Sequence, residues 1–248
     1  MAERVDGLGA AEVAARCGVP RAVLLATVTS TLDVAHTLAS EGAETGTLVV
    51  ARHQTAGRGQ HGRSWRSEPD AGVWLTLIER ADEAALSVLA LRIGLALAPA
   101  LDELAGARVQ LKWPNDLLVA DRKLAGVLVE ARWRDGQPEW VSIGVGINLR
   151  QPHAEEEAAG LRSGVRRVDV LAAVVPALRV AAAQGGTLAA GELSAWSARD
   201  FAAGRRIDEP TAGVVLGIDA GGALLVESLG GVTRWRTGSI KFAPPRQK

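Results

Sequence analysis

The sequence predicts an α+β protein in which helices flank a β-sheet and a small β-barrel follows. Three observations lead there. Apolar, strand-like runs recur at 23–28, 47–52, 73–78, 109–113, 124–130 and 141–148. A segment from about Glu83 to Ala105 is apolar at most positions, as a helix packed against a sheet would be. After Gly204 the texture changes to short strands about every eight to ten residues with glycine turns between them.

Composition bounds the class before any residue is singled out. The 248 residues are 48% hydrophobic and 23% charged with a formal net charge of zero, which fits a soluble globular chain with room for a second small unit. Balanced charge gives no electrostatic case for DNA or membrane binding. The longest apolar stretch, 84–104, holds Arg92, Pro99, Asp102 and Glu103 and reads as a buried helix. The N-terminus carries no signal-peptide hydrophobic segment, so a cytoplasmic location is expected. A single cysteine, Cys17, excludes an intrachain disulfide and a cysteine metal cluster. The change of texture places a domain boundary near residue 202, giving units 1–202 and 203–248.

In chain order, residues 10–17 form a short helical pattern closed by Gly18, Val19 and Pro20. This hints at half of a helix-turn-helix, but fewer than thirty residues cannot hold a winged DNA-binding domain, and a packed N-terminal helix is the plainer reading. The run 23–28 is a strand leading through Thr29, Ser30, Thr31 and Asp33 into a helix at 34–40. N-cap chemistry accounts for one of these polar residues. The others are free to face a ligand. The run 109–113 alternates like a strand and ends in the turn Pro114-Asn115-Asp116, with a hairpin return at 117–120. Ala125 and Gly126 in one strand, and Gly144 and Gly146 in the next, suggest that something lies flat against the backbone there. A helix at 167–184 should kink at Pro176, and 189–202 continues helically to Phe201. The strands around 133–141 could offer a sheet edge.

The chain is organised around the loop Gln54-Thr55-Ala56-Gly57-Arg58-Gly59-Gln60-His61-Gly62-Arg63-Ser64-Trp65. It lies in a connection of about twenty residues, where roughly two to six are usual, and so long a loop in a compact domain points to function. Gly57, Gly59 and Gly62 let the backbone turn and aim N–H groups at oxyanions, while Arg58, Arg63 and nearby Arg66 add three guanidinium forks. The spacing also fits the dinucleotide fingerprint, but no helix follows it, so a nicotinamide enzyme is rejected.

Residue bias marks a second place. Only four of the 28 basic residues are lysine, and only two asparagines occur, Asn115 and Asn148; Lys112, Asn115 and Lys123 fall together. No Ser-His-Asp set or close carboxylate pair offers other chemistry, and His36, His53, His61 and His153 lack metal-ligand spacing. A phosphate-holding loop and a point-charge lysine fit nucleotidyl transfer to a carboxylate.

Four motifs in this order, the loop 54–65, Lys112-Trp113-Pro114-Asn115-Asp116, the stretch 123–130 from Lys123 to Glu130, and the stretch 144–148 from Gly144 to Asn148, resemble the biotin protein ligase family (biotin–[acetyl-CoA-carboxylase] ligase). The resemblance runs from about Ser30 to Phe242. It implies a mixed β-sheet with flanking helices, similar to class II aminoacyl-tRNA synthetases, followed by an SH3-like barrel. It also implies formation of biotinyl-5′-AMP from biotin and ATP with Mg²⁺ bound through the ATP phosphates, then transfer of biotin to a lysine of a biotin carboxyl carrier domain.

Carried onto this chain, the resemblance puts Ser30, Thr31, Leu32, Gln54, Arg58, Gly59, Gln60, Lys112 and Gly126 at biotin. It puts Gly57, Arg58, Gly59, Gln60, Arg63, Trp65, Lys123 and Asn148 at ATP or the adenylate, and makes Lys112 and Arg58 catalytic. Core motifs fall within 23–150. No DNA or membrane partner is implied, and the oligomer is a monomer or homodimer. The short N-terminus fits the monofunctional kind, without a winged-helix domain.

Two positions depart from the family pattern. Gln60 stands where arginine is common, which predicts weaker retention of the adenylate, and Leu32 follows Ser30 and Thr31 where asparagine is common. Two other readings stay open: a lipoate or octanoate ligase of the related fold, and a non-catalytic biotin-binding sensor. A linear acyl chain needs no polar floor like Ser30, Thr31 and Gln54, and a sensor needs no pyrophosphate handling.

Overall fold

The computed structural model describes residues 3–152 and 157–244; His153 and Lys248 lie outside them. Helix α1 (Ala10–Cys17) ends at Gly18, whose φ of 64° is the left-handed turn that only glycine adopts cheaply. Strand β1 (Arg21–Val28) follows, and Ser30 caps helix α2 (Thr31–Ser40) by accepting from Leu32 N at 3.3 Å. The helix thus starts three residues before the position expected, because the hydroxyl of Ser30 supplies the cap. Strand β2 (Thr47–Gln54) pairs parallel with β1. The long loop then holds one 3-10 turn, Gln60–Gly62, before strand β3 (Gly72–Glu79). A strand after the loop, where a Rossmann fold has a helix, agrees with rejecting the dinucleotide reading.

The expected 83–105 helix is two pieces, α3 (Glu83–Leu86) and α4 (Leu89–Ala105). Asp82 caps α3 through Ala84 N at 3.2 Å. Strands β4 (Gln110–Lys112), β5 (Asp116–Val119), β6 (Arg122–Arg134) and β7 (Gln137–Asn148) follow as antiparallel hairpins. Helix α5 (Arg167–Ala182) runs through Pro176, and α6 (Ala190–Ser197) is shorter than the 189–202 expected.

The seven strands form one mixed sheet in the order β1-β2-β3-β7-β6-β5-β4. β3 is buried throughout, and β2 shows why both faces are covered. Leu48 and Val50 join the core under α4 and α5, whereas Val49 packs with Ala35 of α2 on the other face. Strand alternation therefore splits each central strand between two helical layers. β6 runs past β5, which pairs only with residues 122–126, and Asn115 bonds both backbone groups of Val127, so residues 128–134 carry an edge that meets the expected 133–141 only at its end.

Strands β8 (Arg206–Glu209), β9 (Gly213–Ile218), β10 (Leu224–Ser228), β11 (Gly231–Trp235) and β12 (Lys241–Phe242) form a second, antiparallel sheet in the order β11-β10-β9-β8-β12. It is open: no pairing among the described residues closes β11 on β12 into the barrel expected. The second sheet docks on the first through Trp113 Nε1, which donates to Gly222 O at 3.0 Å. A buried charge pins the helical layer. Arg92 of α4, 3% exposed, meets Glu192 of α6 at 2.6 Å and donates to the carbonyls of Gln184, Gly186 and Thr187.

Candidate active site

A cavity of about 440 Å³ opens where the N-terminus of α2, the end of β2, the glycine loop and the β4–β5 turn converge. Glu209 and Lys241 of the second sheet, and Ser239 and Ile240 just before its last strand, line it as well. Ser30, Thr31, Leu32, Gln54, Arg58, Gly59, Gln60, Arg63, Trp65, Lys112, Lys123 and Gly126 all line it. Gly57 and Asn148 do not. Gly57 sits behind the loop, where an added Cβ would collide with the backbone oxygen of Trp65. Asn148 is buried at 5% and donates to Lys123 O at 3.3 Å.

The polar floor is a closed relay. Gln54 Oε1 accepts from Thr31 N at 2.8 Å and from Thr31 Oγ1 at 3.1 Å, and Gln54 Nε2 donates to Ser67 Oγ at 2.8 Å. Thr76 Oγ1 donates to Thr31 Oγ1 at 2.8 Å. Fixing both ends of Gln54 sets its amide orientation and preorganises the floor for a polar ligand group. Sequence reasoning missed Ser67 and Thr76. Thr76 had a signal: it is the sole hydroxyl in the apolar run 73–78.

The glycine loop is a narrow hairpin. Trp65 N donates to Gly57 O and Gly59 N to Arg63 O, each at 2.8 Å. Gly59 N–H is therefore committed to the loop itself, not available to an oxyanion. Gly62 supplies the turn, with φ of 73°. Arg66 pairs with Glu68 at 2.9 Å and does not line the cavity, so the loop presents two guanidiniums there and not three.

The glycines of β6 and β7 do have something lying against them, and it is the protein itself. A Cβ at Gly146 would stand 2.6 Å from Trp65 Nε1, one at Gly126 2.9 Å from Trp65 Cζ3, and one at Gly144 3.1 Å from Leu32 Cδ1. Gly126 and Gly146 are cross-strand partners, so the indole spans both strands.

Among the described residues five cationic side chains line the cavity, Arg58, Arg63, Lys112, Lys123 and Lys241, against the carboxylates of Asp116 and Glu209. The excess favours an anion. Lys123 is held by Asp116 at 2.7 Å, which gives Asp116 a role beyond its turn. Lys112 stands 5.4 Å from the ring of Phe242 on β12. Burial pushes the Lys112 ammonium below its ordinary 10.5, Asp116 opposes that shift, and Lys123 reinforces it. An arriving anion would favour the charged form. Among the described residues no group of three or more His, Cys, Asp or Glu could hold a metal.

This arrangement joins a polar floor, a cationic wall and a glycine-rich cover. The sequence matches the biotin/lipoate A/B protein ligase family over residues 24–148. The chain belongs to that family. Among curated proteins it is 35% identical over 217 residues to the bifunctional ligase/repressor BirA of Escherichia coli, which covers 80% of this chain and 67% of that protein. It is 36% identical over 150 residues to the biotin–[acetyl-CoA-carboxylase] ligase of Mycobacterium tuberculosis, covering 58% of this chain and 51% of that one. Among solved structures, the biotin protein ligase from Aquifex aeolicus in complex with biotin and ATP superposes with a TM-score of 0.72 at 24% identity, over 90% of this chain and 99% of that one. Members of the family are ligases, and the mixed sheet with its second antiparallel sheet is the same fold. No helix among the described residues is long and apolar enough to cross a membrane.

Proposed function

We propose that this chain activates the carboxylate of biotin with ATP and transfers the biotinyl group to a lysine of a biotin carboxyl carrier domain in the cytoplasm. One observation carries the reading: a single cavity joins the polar floor of Thr31 and Gln54 to the cations Lys112, Lys123, Arg58 and Arg63. The names of the relatives, ligases that act with biotin, support it.

In the first step a biotin carboxylate oxygen attacks the α-phosphorus of ATP, and the bond to the β-phosphate oxygen breaks to release pyrophosphate. Ser30, Thr31 and Gln54 hold the ureido ring, with Leu32 and Gly126 at its sides. Lys112 lies between carboxylate and α-phosphate and offsets the negative charge that builds at phosphorus. Arg58, Gly59 and Gln60 cover the carboxylate and phosphate, and Arg63 meets the departing pyrophosphate. Trp65 borders adenine, Asn148 backs that side through its hydrogen bond to Lys123 O, Gly57 lets the loop close, and Lys123 adds charge on the nucleotide side. Mg²⁺ enters as part of the ATP complex. In the second step the ε-amine of the acceptor lysine attacks the acyl carbon, loses a proton, and expels AMP.

In this reading residues 1–202 form the catalytic unit and 203–248 a C-terminal unit whose Lys241 and Phe242 reach the cavity and Lys112. Intact mass of an apo carrier domain after incubation with the protein, MgATP and biotin tests the whole sequence. A gain of one biotinyl group that requires ATP is expected. No gain with biotin but a gain with lipoate on its carrier domain would move the assignment to the other branch of the family.

A further inference from the structure

Glu130 closes the stretch 123–130 but does not line the main cavity. Its carboxylate instead accepts from Arg58 Nη2 at 3.1 Å and faces His36 Nε2 at 3.0 Å. Arg58 Nη2 also meets Asp33 Oδ1 at 3.0 Å. One corner of the guanidinium serves both carboxylates, while Nε and Nη1 take no acceptor among the described residues.

Glu130 is itself held in place. Trp140 Nε1 donates to His36 Nδ1 at 3.1 Å. An indole can only donate, so Nδ1 is the acceptor and the ring proton sits on Nε2, where it donates to Glu130. Asp33 is fixed on the other side by Thr29 Oγ1 at 3.1 Å. The chain of contacts runs from β7 through α2 to β6 and ends on the glycine loop.

The two carboxylates more than offset the single charge of Arg58. What Arg58 can offer a ligand is therefore directed N–H donors, while the net positive field comes from Arg63 and the lysines. The loop that carries Arg58 holds three glycines and would lose much conformational entropy if it were ordered only on binding. Its side chain ties that loop to α2 and β6 beforehand.

We propose that Glu130, assisted by Asp33, is a positioning residue that pins Arg58 and with it the loop 57–65, leaving the other edge of the guanidinium for the anion of the ligand. The identity of that anion rests on the adenylation reading above; the pin does not.

The test compares Glu130→Gln, Arg58→Ala and the double variant with the wild type. Backbone hydrogen exchange over 57–65 is read without ligand, and release of biotinyl-5′-AMP formed in situ is read separately. Glu130→Gln should speed loop exchange and adenylate release about tenfold each, the size of a lost charged hydrogen bond, with little change in Tm. In the Arg58→Ala background it should add nothing, because the same contact is already gone. Unchanged loop exchange in Glu130→Gln, or an effect that adds in full to that of Arg58→Ala, would overturn the proposal. If the wild type makes no adenylate, the adenylation reading fails and loop exchange still decides the pin. Should Glu130→Gln not fold, Asp33→Asn removes the other carboxylate at the same Nη2 and carries the same expectation.

Discussion

The indole of Trp65 rests on Gly146, with Lys123 Nζ 4.9 Å from its ring centroid and Trp74 edge-on at 6.3 Å. Its Nε1 is buried and finds no hydrogen-bond partner among the described residues. A buried N–H without an acceptor costs about 1–3 kcal/mol, so this seat is one the ring can leave when a better one forms.

Gly146→Ala tests that relationship. The added methyl overlaps the ring and should cost about 1–3 kcal/mol of stability by overpacking. With the ring displaced, the KM for ATP should rise about tenfold while that for biotin stays near wild type. A calorimetric scan and initial-rate kinetics on the two substrates check both halves. An equal rise in both KM values would mean that Trp65 does not belong to the nucleotide side.

Lys112→Ala should abolish pyrophosphate release with the fold intact, since the side chain is at the end of a strand whose pairing is made by backbone. Pyrophosphate release at the wild-type rate would sink the role given to Lys112. The pH profile adds a second check. Burial lowers the Lys112 pKa below 10.5, so the charged form is lost as pH rises through that lowered value. The alkaline limb of kcat/KM for adenylation should therefore fall before an ordinary lysine would titrate, and Lys112→Arg should move it upward.

Gln60→Arg should slow the release of biotinyl-5′-AMP severalfold. Gln60 lines the cavity, where Arg58 is already offset by Asp33 and Glu130, so a new guanidinium would add an uncompensated charge on the side proposed for the phosphate. Release followed on a filter or by fluorescence decides it, and faster release would contradict the expectation.

Arg92→Ala should destabilise the protein by about 3–5 kcal/mol, because it strands Glu192 and three carbonyls beside a cavity. Denaturant unfolding measures this. The same pair predicts an acid limb. The hydrogen bond from Arg92 depresses the Glu192 pKa below 4.5, so the folded state binds this proton less readily than the unfolded chain. That stability is complete above 4.5 and is lost as pH falls through the depressed value. Glu192→Gln should therefore be less stable near neutrality and lose less on acidification.

Much of the frame was legible because it is written locally. Continuous apolar runs marked β2 and β3, the length of the 54–72 connection marked the loop, and scarcity of lysine marked Lys112 and Lys123. Boundaries were less legible. Helix α2 began early because a cap outweighed propensity at Ser30, and the apolar 83–105 segment broke between α3 and α4, which no period announces.

By itself the sequence determined the α+β layering, the family, and the residue types gathered for anion chemistry, since each is a matter of pattern or motif within a few tens of residues. Only the tertiary structure decided how they meet. It put the protein's own Trp65 on the glycines of β6 and β7, closed the Gln54 relay through Ser67 and Thr76, turned Arg58 toward Asp33 and Glu130, and brought Phe242 to Lys112. These partners come from different strands and helices, some far apart in the chain, and no local periodicity encodes a contact that exists only once the sheets have packed.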